Sequence, residues 1–169
     1  CSAYAVILPS LFLRRVRMLK GDGGDYAPPL VRPGEAVDAF VRALDVSGCG
    51  EEIKLGFVAA APIFCGGGGY CGVGNRLSPG ELIDYYVDLV NTYPIISLED
   101  PFEEEAYDDF ARLTAKLPGT IIVGDDLYVT NIKRLEKGIE MCASNALLLK
   151  LNQIGTVSEA FDAARMSFR

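Results

Sequence analysis

The second half of the chain repeats one pattern three times: a short apolar segment followed by a longer amphipathic one. This pattern predicts strands at 95–99, 120–124 and 146–151, and helices at about 103–116, 131–141 and 156–167. Short apolar strands that alternate with amphipathic helices indicate parallel βαβ units. Because such connections are right-handed, successive strands should lie side by side. The repeat fits either a doubly wound open sheet or an eight-fold barrel.

The region before these repeats predicts elements of the same kinds. Apolar residues recur at helical spacing over 33–46, and residues 53–60 form a continuous apolar run, typical of a strand buried on both faces. Ser78 and Pro79 predict a capped helix start. That helix should turn four side chains inward: Leu82, Ile83, Tyr86 and Leu89.

The glycine run at 66–69 predicts a flexible surface loop. It lacks the Lys-Ser/Thr pair that a phosphate-binding P-loop carries.

Composition narrows the possible partners. A net charge of −7 and a pI of about 4.6 argue against binding to nucleic acid or to an anionic membrane. The apolar stretch at 3–13 is too short to span a bilayer, and its basic residues follow it, whereas those of a signal peptide precede it. We therefore expect a cytoplasmic protein in which residues 1–20 stay unassigned.

The five cysteines include no CxxC pair, and the chain contains no histidine, so a structural zinc site is not expected. Cys65 and Cys71 bracket the glycine run and could form a disulfide. The alternative is five reduced thiols in a cytosolic protein.

Each repeated strand ends in polar residues that the strand itself does not need. Glu99, Asp125 and Lys150 lie 26 and 25 residues apart, which is one strand–helix unit each time. We expect them to meet at the C-terminal ends of the strands, where barrel enzymes place their chemistry. Two carboxylates there suit Mg²⁺. A lysine beside them can act as a general base, because nearby cationic charge and partial desolvation favour its neutral form.

A simpler interpretation is open for two neighbouring acids. Asp100 and Asp126 follow strands, and acids in such places often cap the next helix. Lys150 is harder to explain in this way, because burying an unpaired lysine in an apolar strand is costly.

Five segments of the sequence resemble enolase. SLEDPF at 97–102, GDDLYVTN at 124–131 and LLLKLNQIG at 147–155 are similar to three successive active-site strands of that family. GDGGDYAPP at 21–29 resembles the family's GDEGGFAPP, and EEIKLGFVAAAPIF at 51–64 resembles its KIGMDVAASEF. The resemblance implies a fold: an α/β chain forming part of the TIM-type (β/α) barrel of the enolase C-terminal domain, over residues 21–169.

The resemblance also implies an activity, the Mg²⁺-dependent dehydration of 2-phosphoglycerate to phosphoenolpyruvate in glycolysis by a carbon–oxygen lyase. Glu99 and Asp125 match two of three metal-binding carboxylates, and Lys150 matches the base that removes the C2 proton. The same three residues would contact substrate. Full-length members of the family are expected to be cytoplasmic homodimers.

Three departures from the family pattern bear on activity. Val58 stands where a gap-free alignment places the third metal aspartate, and Gly23 stands where the family has a glutamate that assists loss of the hydroxyl. The later SHRSGE motif and a further substrate-binding lysine are absent from the 169 residues. A whole barrel takes on the order of 250 residues, so we expect a longer native chain or a partner that covers exposed strand edges.

Three hypotheses are compatible with these departures. The chain is a piece of a catalytic enolase, a non-catalytic enolase-like structural or binding subunit, or an enolase-superfamily enzyme for another acid.

Overall fold

The computed structural model describes residues 19–20, 26–27, 33–48, 52–59, 65–66, 69–72 and 75–168. The chain divides into two compact units. One comprises Cys1–Lys54 with Gly72–Asn75, and the other comprises Leu55–Cys71 with Arg76–Arg169.

The first unit is organised around one helix. A small antiparallel sheet pairs β1 (Leu19–Lys20) with β2 (Tyr26–Ala27). Helix α1 (Pro33–Ser47) follows, as the apolar spacing predicts. It buries three apolar side chains, Val37, Ala43 and Leu44. Gly48 ends the helix in a left-handed conformation (φ +71°), which glycine adopts without steric cost.

The remaining strands and helices alternate along the chain. In chain order they are β3 (Leu55–Val58), β4 (Cys65–Gly66), β5 (Gly69–Gly72), β6 (Asn75–Leu77), α2 (Pro79–Thr92), β7 (Ile95–Glu99), α3 (Tyr107–Lys116), β8 (Ile121–Gly124), α4 (Ile132–Glu140), β9 (Ala146–Leu147), α5 (Leu151–Ile154) and α6 (Val157–Ser167). The helix that follows each predicted strand is confirmed.

The main sheet contains four parallel strands in the order β3-β7-β8-β9. The strands are added in chain order from one edge, as predicted for side-by-side βαβ units. A doubly wound sheet reverses its order at a switch point. No reversal occurs among the described strands, so the topology agrees with a segment of a barrel that is not closed within the described residues.

Strand β3 corrects one sequence prediction. Residues 53–60 were expected to form a strand buried on both faces, but Leu55–Val58 alternates between half-buried and exposed side chains. The reason is its position, because β3 pairs only with β7 and is an edge of the described sheet.

The predicted flexible loop at 66–69 lies partly outside the described residues, which omit 67 and 68. Its two ends, Gly66 and Gly69, are antiparallel partners in β4 and β5, and β6 lies beside β5. The next residue, Tyr70, is buried and packs edge-on against Phe102 with ring centroids 5.8 Å apart. This aromatic contact therefore anchors β5.

Helix α2 forms as its first residues predict. Ser78 and Glu81 make a capping box: Glu81 N–H donates to Ser78 Oγ (3.3 Å), and Ser78 N–H donates to Glu81 Oε2 (2.8 Å). The four side chains expected to face inward are all buried: Leu82, Ile83, Tyr86 and Leu89. Tyr86 packs edge-on against Phe102, which in turn packs edge-on against Phe110.

Two predicted boundaries are wrong. Helix α3 begins at Tyr107 and not near residue 103. Arg134 holds the intervening turn, because its guanidinium donates to the Glu104 carbonyl (2.5 Å) and to Glu105 Oε1 (2.6 Å). Strand β9 ends at Leu147 and not at residue 151, and the short helix α5 follows it.

Tyr128 joins strand β8 to helix α4. Its ring lies against two glycines, and a Cβ added at Gly124 or Gly138 would come within 2.6 Å or 2.3 Å of it. Its hydroxyl lies 2.7 Å from Ser144 Oγ, so the buried ring keeps a polar partner. Only glycine leaves room for the ring at either position.

None of the helices among the described residues combines the length and apolar character that crossing a membrane requires.

Candidate active site

The C-terminal ends of β3, β7 and β8 lie side by side and form one rim of the main sheet. Glu99, the last residue of β7, is in register with Val58 of β3 on one side and with Val123 of β8 on the other. Asp125 therefore lies two residues beyond the partner of Glu99 along β8. The two carboxylates are brought together because the chain continues past the end of β8, and not because they occupy paired positions, as the regular spacing had suggested.

Three carboxylates converge at this rim. Single oxygens of Glu99, Asp100 and Asp125 all lie within 4.8 Å of one another. Asp100 and Asp125 are buried, and Glu99 is half-buried. Closely spaced hard oxygens are the ligands that divalent cations such as Mg²⁺ take in proteins. The donor set therefore fits a divalent metal ion.

Asp100 acts as a brace and not as a helix cap. Its two carboxylate oxygens accept hydrogen bonds from the backbone N–H groups of Asp125 and Asp126, each at 3.0 Å. Asp100 itself adopts a left-handed conformation (φ +43°), which turns the chain sharply after β7. The capping interpretation is wrong for Asp126 as well, because Asn131 caps helix α4 through its side-chain oxygen.

Lys150, which lies three residues after the end of β9, contacts Asp125 at the rim. Its ammonium group donates a hydrogen bond to Asp125 Oδ2. The lysine side chain is 40% exposed, whereas that of Asp125 is 8% exposed, so the ion pair spans the boundary between solvent and core. The predicted approach of Glu99, Asp125 and Lys150 is thus present in the structure.

Two further side chains complete this contact. Gln153 Nε2 donates to Asp125 Oδ1 at 2.9 Å, and Thr130 Oγ1 accepts the Lys150 backbone N–H at 2.9 Å. The sequence signal for Gln153 was its place in a polar cluster, three residues after Lys150. The predicted strand through residue 151, however, would not have brought its side chain to Asp125. Helix α5 does so. Nothing in the sequence pattern indicated Thr130.

Burial and, after it, the crowding of negative charge raise the pKa values of two carboxyl groups at the rim. Burial raises the pKa of Glu99, and the neighbouring charges of Asp125 and Asp100 raise it further, while Lys150 opposes them. Burial likewise raises the pKa of Asp100, against the two backbone N–H groups that it accepts. A cation between these oxygens would relieve this repulsion.

The pKa of Lys150 shifts in the direction opposite to the one expected. Its hydrogen bond to Asp125 raises the pKa of Lys150, although partial burial acts against this. The expected neutral form is therefore not favoured in the metal-free chain. The carboxylates outweigh desolvation because the lysine lies at the surface end of the pair.

The β3 part of the rim carries no acid at the position matched to the family. Val58 is 61% exposed and lies in register with Glu99. An apolar side chain cannot bind a cation there. Gly23, a second departure from the family pattern, lies outside the described residues.

The side chains of Cys65 and Cys71 also lie outside the described part of the chain, so their possible disulfide stays a prediction. Cys142 is a free, exposed thiol.

Comparison with known proteins identifies the family. The profile of "Enolase, C-terminal TIM barrel domain" matches residues 14–169. The chain is 65% identical over 149 residues to an enolase of Methanothrix thermoacetophila, covering 88% of the chain and 36% of that relative. It is 57% identical to one of Methanococcoides burtonii and 56% identical to one of Methanosarcina barkeri, each over 150 residues, 88% of the chain and 35% of the relative.

The chain thus spans about a third of the length of the curated relatives that it matches. The match covers the rim, the four parallel strands and the helices between them, and on this evidence the chain belongs to the enolase family, as part of its C-terminal TIM barrel domain.

Proposed function

We propose that this barrel segment serves the Mg²⁺-dependent dehydration of 2-phosphoglycerate to phosphoenolpyruvate. The observation that carries the proposal is the convergence of Glu99, Asp125 and Lys150, with two carboxylates within 4.8 Å and the lysine hydrogen-bonded to one of them. Proton abstraction next to a carboxylate needs these two parts, a base and nearby positive charge to stabilise the developing anion.

Each residue has a distinct role in this proposal. Glu99 and Asp125 hold Mg²⁺, which when bound supplies the positive charge for the anionic intermediate. Lys150 takes the C2 proton of the substrate, for which its ammonium must first lose a proton. Asp125 keeps Lys150 at the rim, and the 40% exposure of the lysine side chain leaves its end within reach of a bound small molecule.

A second candidate function has one specific observation in its favour. Val58 replaces a carboxylate at the position beside Glu99, and this weakens any metal site at the rim. The alternative is a non-catalytic enolase-like protein that acts as a structural or binding subunit. It predicts that the described rim binds no divalent cation.

Metal titration separates the two functions. We expect calorimetry with Mg²⁺ to show weak binding by the 169-residue chain, and Asp125→Ala to remove it, since the loss of a direct ligand exceeds the roughly 10–100-fold cost of losing an outer partner. Asp88→Ala is the matched control, because Asp88 is exposed on helix α2 and its substitution removes the same side chain away from the cluster. Binding that survives Asp125→Ala would remove Asp125 from the site, and a chain that binds no cation would support the second function.

The role of Lys150 is tested by a partial reaction. Exchange of the C2 hydrogen of 2-phosphoglycerate with deuterated solvent, followed by NMR, needs only the base and the metal. We expect slow exchange in the chain and none in Lys150→Met, with the exposed Lys133→Met as the control.

Because Val58 leaves the metal with one carboxylate fewer, we expect net formation of phosphoenolpyruvate by the chain to be undetectable. Robust Mg²⁺-dependent formation would contradict the subunit hypothesis.

We further propose a cytoplasmic location and assembly as a homodimer, as the resemblance to the family's full-length members implies. Light scattering on the protein at micromolar concentration would contradict the homodimer if it gave a monomer mass.

A further inference from the structure

The hydroxyl of Thr130 contacts the backbone of the proposed base and a glutamine that in turn contacts the proposed metal ligand. Thr130 is fully buried on the turn that follows β8. Its backbone is left-handed (φ +56°), as is that of Val129 before it (φ +43°). β-branched residues rarely adopt this conformation, and residues that do so persist only where the surrounding structure holds them.

The hydroxyl makes two hydrogen bonds of opposite polarity. Oγ1 accepts the backbone N–H of Lys150 at 2.9 Å and donates its own proton to Gln153 Oε1 at 3.3 Å. A hydroxyl has only one proton to donate, so accepting from Lys150 leaves that proton for Gln153.

The polarity of this chain of bonds fixes the glutamine amide. Because Oε1 faces Thr130, the NH₂ end of Gln153 faces Asp125 and donates to Oδ1 at 2.9 Å. A carboxylate can only accept, so the opposite orientation of the amide would place two acceptors together. The other oxygen of Asp125 accepts the Lys150 ammonium group.

We propose that Thr130 is a positioning residue that sets the Lys150 backbone and the Asp125 carboxylate relative to each other, directly in the first case and through Gln153 in the second. This inference rests on the proposed roles of Asp125 and Lys150 in metal binding and proton transfer. Outer partners that orient a ligating carboxylate commonly matter to metal affinity by roughly 10–100-fold.

Two substitutions separate the hydroxyl from the shape of the side chain. Thr130→Val keeps the branched shape and removes the hydroxyl, whereas Thr130→Ser keeps the hydroxyl and removes a methyl group. In the metal-free chain, the amide hydrogen of Lys150 should exchange roughly 2–10-fold faster in Thr130→Val, as expected for the loss of one hydrogen bond. Thr130→Ser should exchange like the unsubstituted chain.

The side-chain amide of Gln153 gives a second metal-free signal. We expect its two ¹⁵N-attached protons to have distinct, ordered resonances in the unsubstituted chain and in Thr130→Ser. In Thr130→Val they should move toward the values of a freely rotating amide. A Gln153 signal that is the same in all three proteins would overturn the proposal.

Metal affinity completes the test. With Mn²⁺ as the probe, Thr130→Val should lower affinity by about tenfold and Thr130→Ser should restore it. Equal losses in both variants, or no loss in Thr130→Val, would overturn the positioning role. Gln153→Met removes the next link without changing a residue of the buried turn, so it carries the test if Thr130→Val does not fold. Unchanged affinity in Gln153→Met would also overturn the positioning role.

The outcomes distinguish this inference from the function on which it rests. If the unsubstituted chain binds no Mn²⁺, the proposed metal chemistry fails, and the exchange and amide signals still decide whether Thr130 orients Lys150 and Gln153. If the chain binds Mn²⁺ but the valine variant binds it equally well, the metal chemistry stands and the positioning role fails.

Discussion

The two halves of the rim differ sharply although their strands are paired in register. On the β7–β8 half, Asp100 and Asp125 are buried, and both accept hydrogen bonds. On the β3 half, Val58 is 61% exposed beside Glu99 and offers no polar group. The two strands stay parallel across the boundary between them, with one register shift between Leu55 and Gly56. The two halves of the rim therefore differ in their side chains although one sheet carries both.

This difference separates what the fold needs from what the chemistry needs. The brace formed by Asp100 has structural consequences, because it satisfies two backbone N–H groups. The side chain at position 58 lies at an exposed strand end, so the sheet tolerates valine there. Substitution of Asp100 should therefore act mainly on stability, whereas substitution of Val58 should act mainly on metal affinity.

The largest effect on stability should come from Asp100→Asn. Asparagine tolerates a positive φ, but its side chain offers one acceptor oxygen where Asp100 offers two. One backbone N–H, of Asp125 or Asp126, would lose its partner, at a cost of about 1–3 kcal/mol in the free energy of unfolding. Urea denaturation measures this, with Asp126→Asn as the matched control. Equal stability of the two variants would show that Asp100 does not brace the loop.

An intermediate effect is expected from Val58→Asp, which gives the β3 half the carboxylate that it lacks. Affinity for Mg²⁺ should rise about tenfold, because the charge and number of ligands set affinity at such sites. Val58→Asn supplies a similar shape without the charge, and calorimetry compares the two. A rise of the same size in Val58→Asn would mean that charge at this position does not contribute.

The smallest effect should come from Glu99→Gln in the metal-free chain. Burial and the charges of Asp125 and Asp100 raise the pKa of Glu99, so folding favours its protonated form. The stability linked to this group is present below the ordinary glutamate pKa and is lost as pH rises through the raised value. Removing the charge should therefore stabilise the chain at pH 7 and have no effect at pH 4.

Urea denaturation at both pH values, with a chelator present, measures this difference. The exposed Glu136→Gln serves as the control. Stabilisation at pH 4 but not at pH 7 would reverse the sign and contradict the cause given for the shift.

Much of the fold could be predicted because local signals and tertiary structure agree. The capped start of α2 at Ser78 and the three strand–helix repeats all appear in the predicted order, with two boundaries displaced. The predictions failed where distant contacts decide the outcome. The late start of α3 depends on Arg134, which lies about 30 residues further along, and the packing of Tyr70 in β5 depends on Phe102.

The site could be predicted in part for the same reason. The regular spacing of Glu99, Asp125 and Lys150 identified them as candidates, since each lies at or just after the end of a predicted strand. The roles of Asp100 and Thr130 could not be predicted, because both depend on left-handed backbone conformations that the sequence pattern does not report, and a β-branched residue such as Thr130 seldom adopts one. The direction of the Lys150 pKa shift depends on how exposed the lysine is beside its partner, which spacing does not report.

The fit of Tyr128 between Gly124 and Gly138 has a consequence for how related sequences can vary. An alanine at either glycine would overlap the ring, so it should be accepted only alongside a smaller residue at 128. That smaller residue would in turn leave Ser144 Oγ without the tyrosine hydroxyl. We therefore expect positions 124, 128, 138 and 144 to covary among related sequences. A change at one of them alone should be disfavoured, and a coordinated change should be tolerated.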